Sequence, residues 1–402
     1  SLAAGEPLDM MPVFSSSFPT YIESGYLLDL YDYEDQLTGV KEQMGDAYYA
    51  GDIGGFLCGF TEMKEWGFPC GLVVRKDIFD ELGYSVDDFS VTADDISTFE
   101  QLDKLFADVK ENYPGVTAVG GGALATQGYS WYDGLGNNFG VLGNYATDTT
   151  VTNWYESQQY YDFCSIQKRW FDAGYTSADI ATTTDSGEVL MKAGNLFSFI
   201  TYYKPNTNVE KLAQTGYETE VIELSENGIK SNASISSLSY CLSSAAEDPV
   251  KAAEFMNFAY TNGDFNDLIN WGVEGEDWIE DENGQATYPE GIDATNVATH
   301  NDYGWGLPNQ FVGHAWAGNP VDIWDQYREY NDSMMKSVAY GDRRYRPDCT
   351  VHLGRKRIPE TSGIRRCLRS GCFHQRVQRQ ALCRRPRRYH CSQAGTAGCM
   401  AC

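Results

Sequence analysis

The chain has 402 residues, 42% of them hydrophobic and 14% aromatic, with a formal net charge of −27. Residues 1–341 carry 15 basic against 54 acidic side chains, whereas residues 342–402 carry 15 against 3. So acidic a body lacks the clustered cations that a phosphate backbone needs, which excludes nucleic acid as its partner; no run is long and apolar enough for a membrane-crossing helix.

In chain order, residues 1–6 have neither the basic start nor the apolar core of an export signal. Residues 8–13 read as a strand almost at once, so a preceding unit is expected to be missing. Residues 19–36 read as a short helix and its loop, and 54–60 as a Gly-rich strand or hairpin. A buried strand at 70–74 leads to a helix at 76–82, stopped by Gly83. Ser97-Thr98-Phe99-Glu100 has the form of a capping box. The helix it opens carries Leu102, Leu105, Phe106 and Val109 on one face and ends at Tyr113-Pro114-Gly115. A strand returns at 116–119.

A long helix is expected over 153–172, and another after Asp185 that stops at Gly194 and feeds a strand at 196–201. Residues 238–242 form a further strand. Asp248-Pro249 combines a favoured cap with a favoured first residue, opening a helix that Asn262-Gly263 closes. Asn283-Gly284 is the turn dipeptide of a hairpin. Alternating strands and helices imply an α/β fold.

Beyond Gly341 the composition changes: all nine Trp lie before it, while seven of the eleven Cys lie after it. The segment 342–402 is Arg- and Cys-rich without helical or strand period. A basic nucleic-acid arm and a zinc site (Cys399-x-x-Cys402, Cys367, Cys372, His374, His390) are two readings. An out-of-frame or disordered stretch is the third and the expectation here, so no functional residue is assigned to it. Of the body's Cys58, Cys70, Cys164 and Cys241, only Cys58 and Cys70 are a candidate pair, and they make no disulfide framework.

Chemistry-bearing motifs are sparse. There is no Gly-x-Ser-x-Gly elbow. The body's two histidines, His300 and His314, fit no metal pair and read as packing residues. Gly120-Gly121-Gly122 lacks the Lys-Ser/Thr of a phosphate loop. No catalytic residue, metal or cofactor is assigned; a glycosidase carboxylate pair is the enzymatic alternative, and carboxylates are too abundant to identify one. What remains is aromatic residues beside polar ones. These are Trp131, Tyr132 and Asp133; Tyr202 and Tyr203; Trp305 and Asn309; and the weaker pairs Glu62 with Trp66 and Trp271 with Glu274. An aromatic face packs on the apolar face of a sugar ring while carboxylates and amides take its hydroxyls.

The residues Asp248-Pro249-Val250-Lys251-Ala252-Ala253-Glu254-Phe255-Met256-Asn257-Phe258 are followed by Asn266-Asp267-Leu268-Ile269-Asn270-Trp271-Gly272-Val273-Glu274-Gly275. With Tyr288-Pro289-Glu290-Gly291 and Trp305-Gly306-Leu307-Pro308-Asn309-Gln310, they resemble extracellular solute-binding proteins of bacterial ABC importers. The branch is the carbohydrate-binding class of Gram-positive lipoproteins. The resemblance implies a two-lobed periplasmic-binding-protein-like fold with hinge strands, its N-terminal unit missing and its C-terminal segment aberrant. It puts 1–114 and about 240–295 in the first lobe, and 115–239 and about 296–341 in the second. An oligosaccharide, or another polar solute such as a peptide, would lie in the cleft. Tyr202 or Tyr203 would stack on sugar, with Trp131 or Tyr132 contributing from the second lobe. The resemblance further implies a monomer at the outer face of the cell membrane, lipid-anchored in full-length form, that delivers its ligand to a permease.

Overall fold

The computed structural model describes residues 6–91, 96–121, 132–135, 140–225, 228–301 and 303–341. Two sheets organise them. The first is antiparallel, with Leu238–Leu242 between Met10–Phe14 and Phe60–Thr61. Leu30, Val40, Met44, Tyr48, Leu57, Phe60, Leu242, Met256 and Tyr260 form the core beside it. The Pro249–Thr261 helix supplies the last two, and its start follows the sequence closely. Asp248 accepts from the Lys251 amide at 3.1 Å, and Pro249 occupies the first turn, where its missing N–H loses nothing. Asn262 then does more than close this helix. Its side chain accepts from Phe265 N at 2.7 Å and caps a second helix, Gly263–Asn270.

The second sheet has the order Thr219–Glu223, Cys70–Arg75, Leu196–Tyr202, Thr117–Gly120. Cys70–Arg75 is buried at every position, as a central strand covered on both faces must be. Only the pairing of Leu196–Tyr202 with Thr117–Gly120 is parallel. The helices Leu102–Asn112 and Gln158–Asp172 cover one face, burying Leu105, Phe106, Phe163 and Trp170 against Leu72, Val74 and Ile200. Each such side chain contributes about 2 kcal/mol of hydrophobic stabilisation.

Several expected elements shift at their ends. Helical backbone already runs through Ser97, so the helix begins at Ser97 and this residue is not its cap. The helix expected over 153–172 is a 3-10 turn, Trp154–Glu156, then Gln158–Asp172. Ser157 separates the two because its hydroxyl accepts from Tyr160 N at 3.1 Å. The Asn283-Gly284 hairpin pairs Ile279–Glu280 with Ala286–Thr287, and Gly284 takes the positive φ of 75° that the turn requires.

The expected division at 114/115 is corrected by the pairing. Cys70–Arg75 is hydrogen-bonded on one edge to Leu196–Tyr202 and on the other to Thr219–Glu223. The chain therefore leaves the first sheet after Thr61 and has entered the second by Cys70. At the other end, Asn309 bridges Met63 and the Tyr240 hydroxyl donates to Gly306 O, so 304–313 packs on the first sheet. Met335–Lys336 pairs with Ile229–Lys230, and Ser337 donates to Asp133 of the second lobe. Cys58 and Cys241 lie in one small core cluster and Cys70 in the core of the other sheet; all three are free thiols, so Cys58 and Cys70 form no bridge.

Candidate functional site

Three stretches lie between the sheets: 62–69, 224–225 with 228–237, and 334–337. They are in contact. A Cβ on Gly67 would strike Met334 Sδ and come within 3.2 Å of Ile229 O; one on Gly228 would meet Pro69 Cδ at 2.9 Å. Ser234 Oγ donates to Trp66 O at 2.8 Å, and Cys70 N donates to Ser225 Oγ at 2.8 Å. The sequence-derived candidates fall into groups around this crossing.

Glu62 opens the first crossing. It is fully buried, and neither carboxyl oxygen has a hydrogen-bond partner. Burial raises its pKa from an ordinary 4.5 to about 8, against smaller opposing effects of its own backbone amide and then of Lys64. A carboxyl without donors in a dry setting is held neutral. Trp66 folds back so that its indole N–H donates to Glu62 O at 3.2 Å, and Lys230 Nζ lies 4.7 Å from the Trp66 ring centroid. Burial lowers the affinity of Lys230 for its proton.

On the second lobe, Tyr202 and Tyr203 separate as period-two geometry requires. Tyr202 is opposite Cys70 in register and shares the face of Leu72. It is 43% exposed, its ring lies 5.2 Å from Phe68, and its hydroxyl is within electrostatic range of Tyr132. Tyr132 stacks on Trp154 at 4.4 Å, and burial pushes its phenol up to about 12. Asp133 is buried and accepts from Ser337 Oγ at 2.7 Å; burial raises its carboxyl, partly offset by bonds from Ser337 and Ser231. Tyr203 turns the other way, over Gly71, with its phenol directed to Ser225 O at 3.5 Å and near Glu223. Its carbonyl accepts from Tyr330 OH at 2.6 Å. Tyr203 is thus a packing residue between the sheet and the Ile323–Ser333 helix.

The first lobe presents Trp305, 59% exposed and stacked on Tyr303 at 6.2 Å with 15° between planes. Asn309 is fully buried and fully engaged: Nδ2 donates to Tyr260 O at 2.8 Å and Oδ1 accepts from Phe311 N at 3.0 Å. Trp271 donates to His314 O at 3.0 Å and its ring meets His300 and Trp316 at about 5 Å. Glu274 is exposed, beside the bridge its backbone makes with Trp278. Tyr203, Trp271 and Asn309 thus have polar groups or faces engaged within the protein. Trp131 lies outside the described residues. His314 pairs with Asp267 at 2.7 Å, and His300 packs among Trp271, Trp316 and Tyr288, as packing histidines.

A separate cavity of about 500 Å³ on the second lobe is lined by Gly143, Asn144, Asp148, Thr152, Asn153, Glu156, Ser157 and Gln159. None of the sequence-derived candidates lines it. What sequence reading missed at the crossing is Phe68 and Asn331. Trp66-Gly67-Phe68-Pro69 carried a usable signal, since two rings interrupted by Gly and Pro between strands mark a connection. Asn331 carried none. Among the described residues no helix is long and apolar enough to cross a membrane, and no group of three or more His, Cys, Asp or Glu could hold a metal ion.

The family model described as bacterial extracellular solute-binding protein matches residues 1–264, well over half the chain. A carbohydrate ABC transporter substrate-binding protein of Streptococcus pneumoniae serotype 4 is 21% identical over 317 residues, 77% of this chain. The chain spans 61% of the length of that curated relative. Among solved structures, the N-glycan transport solute binding protein NgtS of Streptococcus pneumoniae aligns with a TM-score of 0.72 at 17% identity, over 84% of this chain and 73% of that one. The same protein in complex with Man5GlcNAc gives 0.66 at 17% identity, over 94% and 77%. An extracellular solute-binding protein from Bifidobacterium longum subsp. infantis gives 0.53 at 14% identity, over 82% and 72%. These likenesses show the fold: two α/β lobes joined by crossing strands.

Proposed function

We propose that this chain, which belongs to the bacterial extracellular solute-binding protein family, holds an oligosaccharide between its lobes and delivers it to an ABC transporter permease. The observation that carries the reading is Tyr202. A large ring left 43% exposed at the end of a strand otherwise buried, beside Phe68 and Tyr132 at the crossing, is a platform waiting for an apolar face. The face of a sugar ring supplies one, and its hydroxyls supply donors. The relatives agree: one is a carbohydrate ABC transporter substrate-binding protein and another was solved in complex with Man5GlcNAc.

In this reading Tyr202 and Tyr132 stack on sugar, and Trp66 and Trp305 line the cleft. Glu62 and Asp133 take hydroxyls. No residue is assigned a bond-breaking role. The reading also makes the protein a monomer, held by a lipid anchor at the outer face of the membrane. Titration calorimetry against a glycan panel that includes Man5GlcNAc tests it. Saturable heat with one glycan class, with affinity about tenfold weaker in Tyr202→Ala, is the expected result; heat with none of them overturns the sugar assignment.

A further inference from the structure

The Ile323–Ser333 helix belongs to neither lobe alone. Its first half is fixed to the first lobe's 311–315 segment. Ile323 and Tyr327 share a buried cluster with Ala315, and Trp324 Nε1 donates to Gly313 O at 2.9 Å. Its second half meets the first crossing. Asn331, 3% exposed, accepts from Trp66 N at 2.8 Å and donates to Lys64 O at 2.7 Å. The amide therefore stands in for a neighbouring strand, satisfying two backbone groups that would otherwise be buried and unpaired.

Two phenols on the same helix reach the second lobe instead. Tyr330 OH donates to Tyr203 O at 2.6 Å, and Tyr327 OH donates to Asn206 Oδ1 at 2.7 Å. These two sets of bonds respond differently to lobe rotation. Lys64 and Trp66 lie before the chain joins the second sheet at Cys70, so a turn within 66–70 leaves their bonds to Asn331 intact. Tyr203 and Asn206 lie beyond that point and move with the second lobe. Opening the cleft stretches their bonds first.

We propose that the Ile323–Ser333 helix is the pivot and latch of lobe motion. Asn331 is a positioning residue that pins it to the crossing, and the hydroxyls of Tyr327 and Tyr330 hold the second lobe closed. The inference rests on the reading of the cleft as the ligand site, but its test does not need the ligand. The full chain carrying Tyr327→Phe and Tyr330→Phe keeps both rings and loses both hydroxyls. Without ligand, its radius of gyration by X-ray scattering is expected to rise. Hydrogen exchange over 203–207 is expected to quicken about fivefold for each neutral bond lost.

Asn331→Asp keeps an acceptor for Trp66 N and loses the donor to Lys64 O, whereas Asn331→Leu loses both. Exchange over 62–69 is expected to rise in that order. With glycan present, the double phenylalanine variant is expected to dissociate faster at an unchanged association rate, which a merely structural role would not produce. Unchanged scattering and unchanged exchange over 203–207 in the double variant overturn the latch. Scattering and exchange that change as expected, in a protein that binds no glycan, support the latch and overturn the functional reading.

Discussion

Two buried polar regions of the first lobe differ in how completely their side-chain oxygens are bonded. In 262–314, Asn266 donates to Ala259 O and Asn262 O, Asn309 to Tyr260 O, and Asp267 accepts from both the backbone and the ring of His314. Asp277 accepts from Val273 N and Thr299 N. In 61–65, by contrast, Thr61 Oγ1 and both oxygens of Glu62 are buried without a hydrogen-bond partner. Folded proteins rarely leave such groups unmet. A saturated network fixes a scaffold; an unsaturated one marks a place where the remaining partner comes from elsewhere.

The comparison breaks most visibly at Asn309. Asn309→Leu strands Tyr260 O and Phe311 N, and is expected to lower stability by about 3 kcal/mol in urea unfolding. Glycan affinity below the transition should stay within about twofold. A loss of affinity as large as the loss of stability would place Asn309 in the site and dissolve the contrast.

Glu62→Gln tests the other side. A carboxyl raised from 4.5 to about 8 imposes no penalty below pH 4.5. The penalty grows as pH climbs toward 8, because the unfolded chain has already released the proton that the folded one retains. Wild-type stability should therefore fall across that window, by up to about 1.4 kcal/mol for each unit of pH. The Gln variant should lack that slope, whatever its constant offset. Thermal unfolding at pH 4.5, 6.5 and 8.5 reads it, and parallel slopes would mean that Glu62 finds a partner.

A smaller effect separates the neighbouring tyrosines. Tyr202→Ala is expected to weaken glycan binding about tenfold while hardly moving Tm. Tyr203→Phe should leave affinity unchanged and lower Tm slightly, by loss of its phenol contact with Ser225 O. Smallest of all, Glu274→Ala should change neither quantity beyond about 0.5 kcal/mol, since its side chain is exposed.

Much of the fold was legible because its signals are local. Asp248-Pro249 and Asn283-Gly284 each dictate a cap or a turn within four residues, and both hold. The crossing was not legible for the opposite reason. Residues 70–74 read as a buried strand, but an apolar run says nothing of which sheet receives it. The strands that complete the hinge, Phe60–Thr61, Ile229–Lys230 and Met335–Lys336, have two residues each, too few for any period to show. Alternation alone put Tyr202 and Tyr203 on opposite faces; choosing between them needed the register with Cys70 and Gly71. Asn331 acts on residues more than 260 positions away, and no local pattern announces that.

Gly67 has a mechanical consequence. Met334 and Ile229 fill the space a side chain would take, so at Gly67 all three crossings meet on a bare point of chain. They cannot slide past one another without a gap that is not there, which leaves rotation as the free motion. If the lobes close on a ligand as proposed, they would swing like the jaws of tweezers about that fulcrum. The floor of the cleft would scarcely move while its rims travelled farthest, and a long ligand would be gripped at its ends.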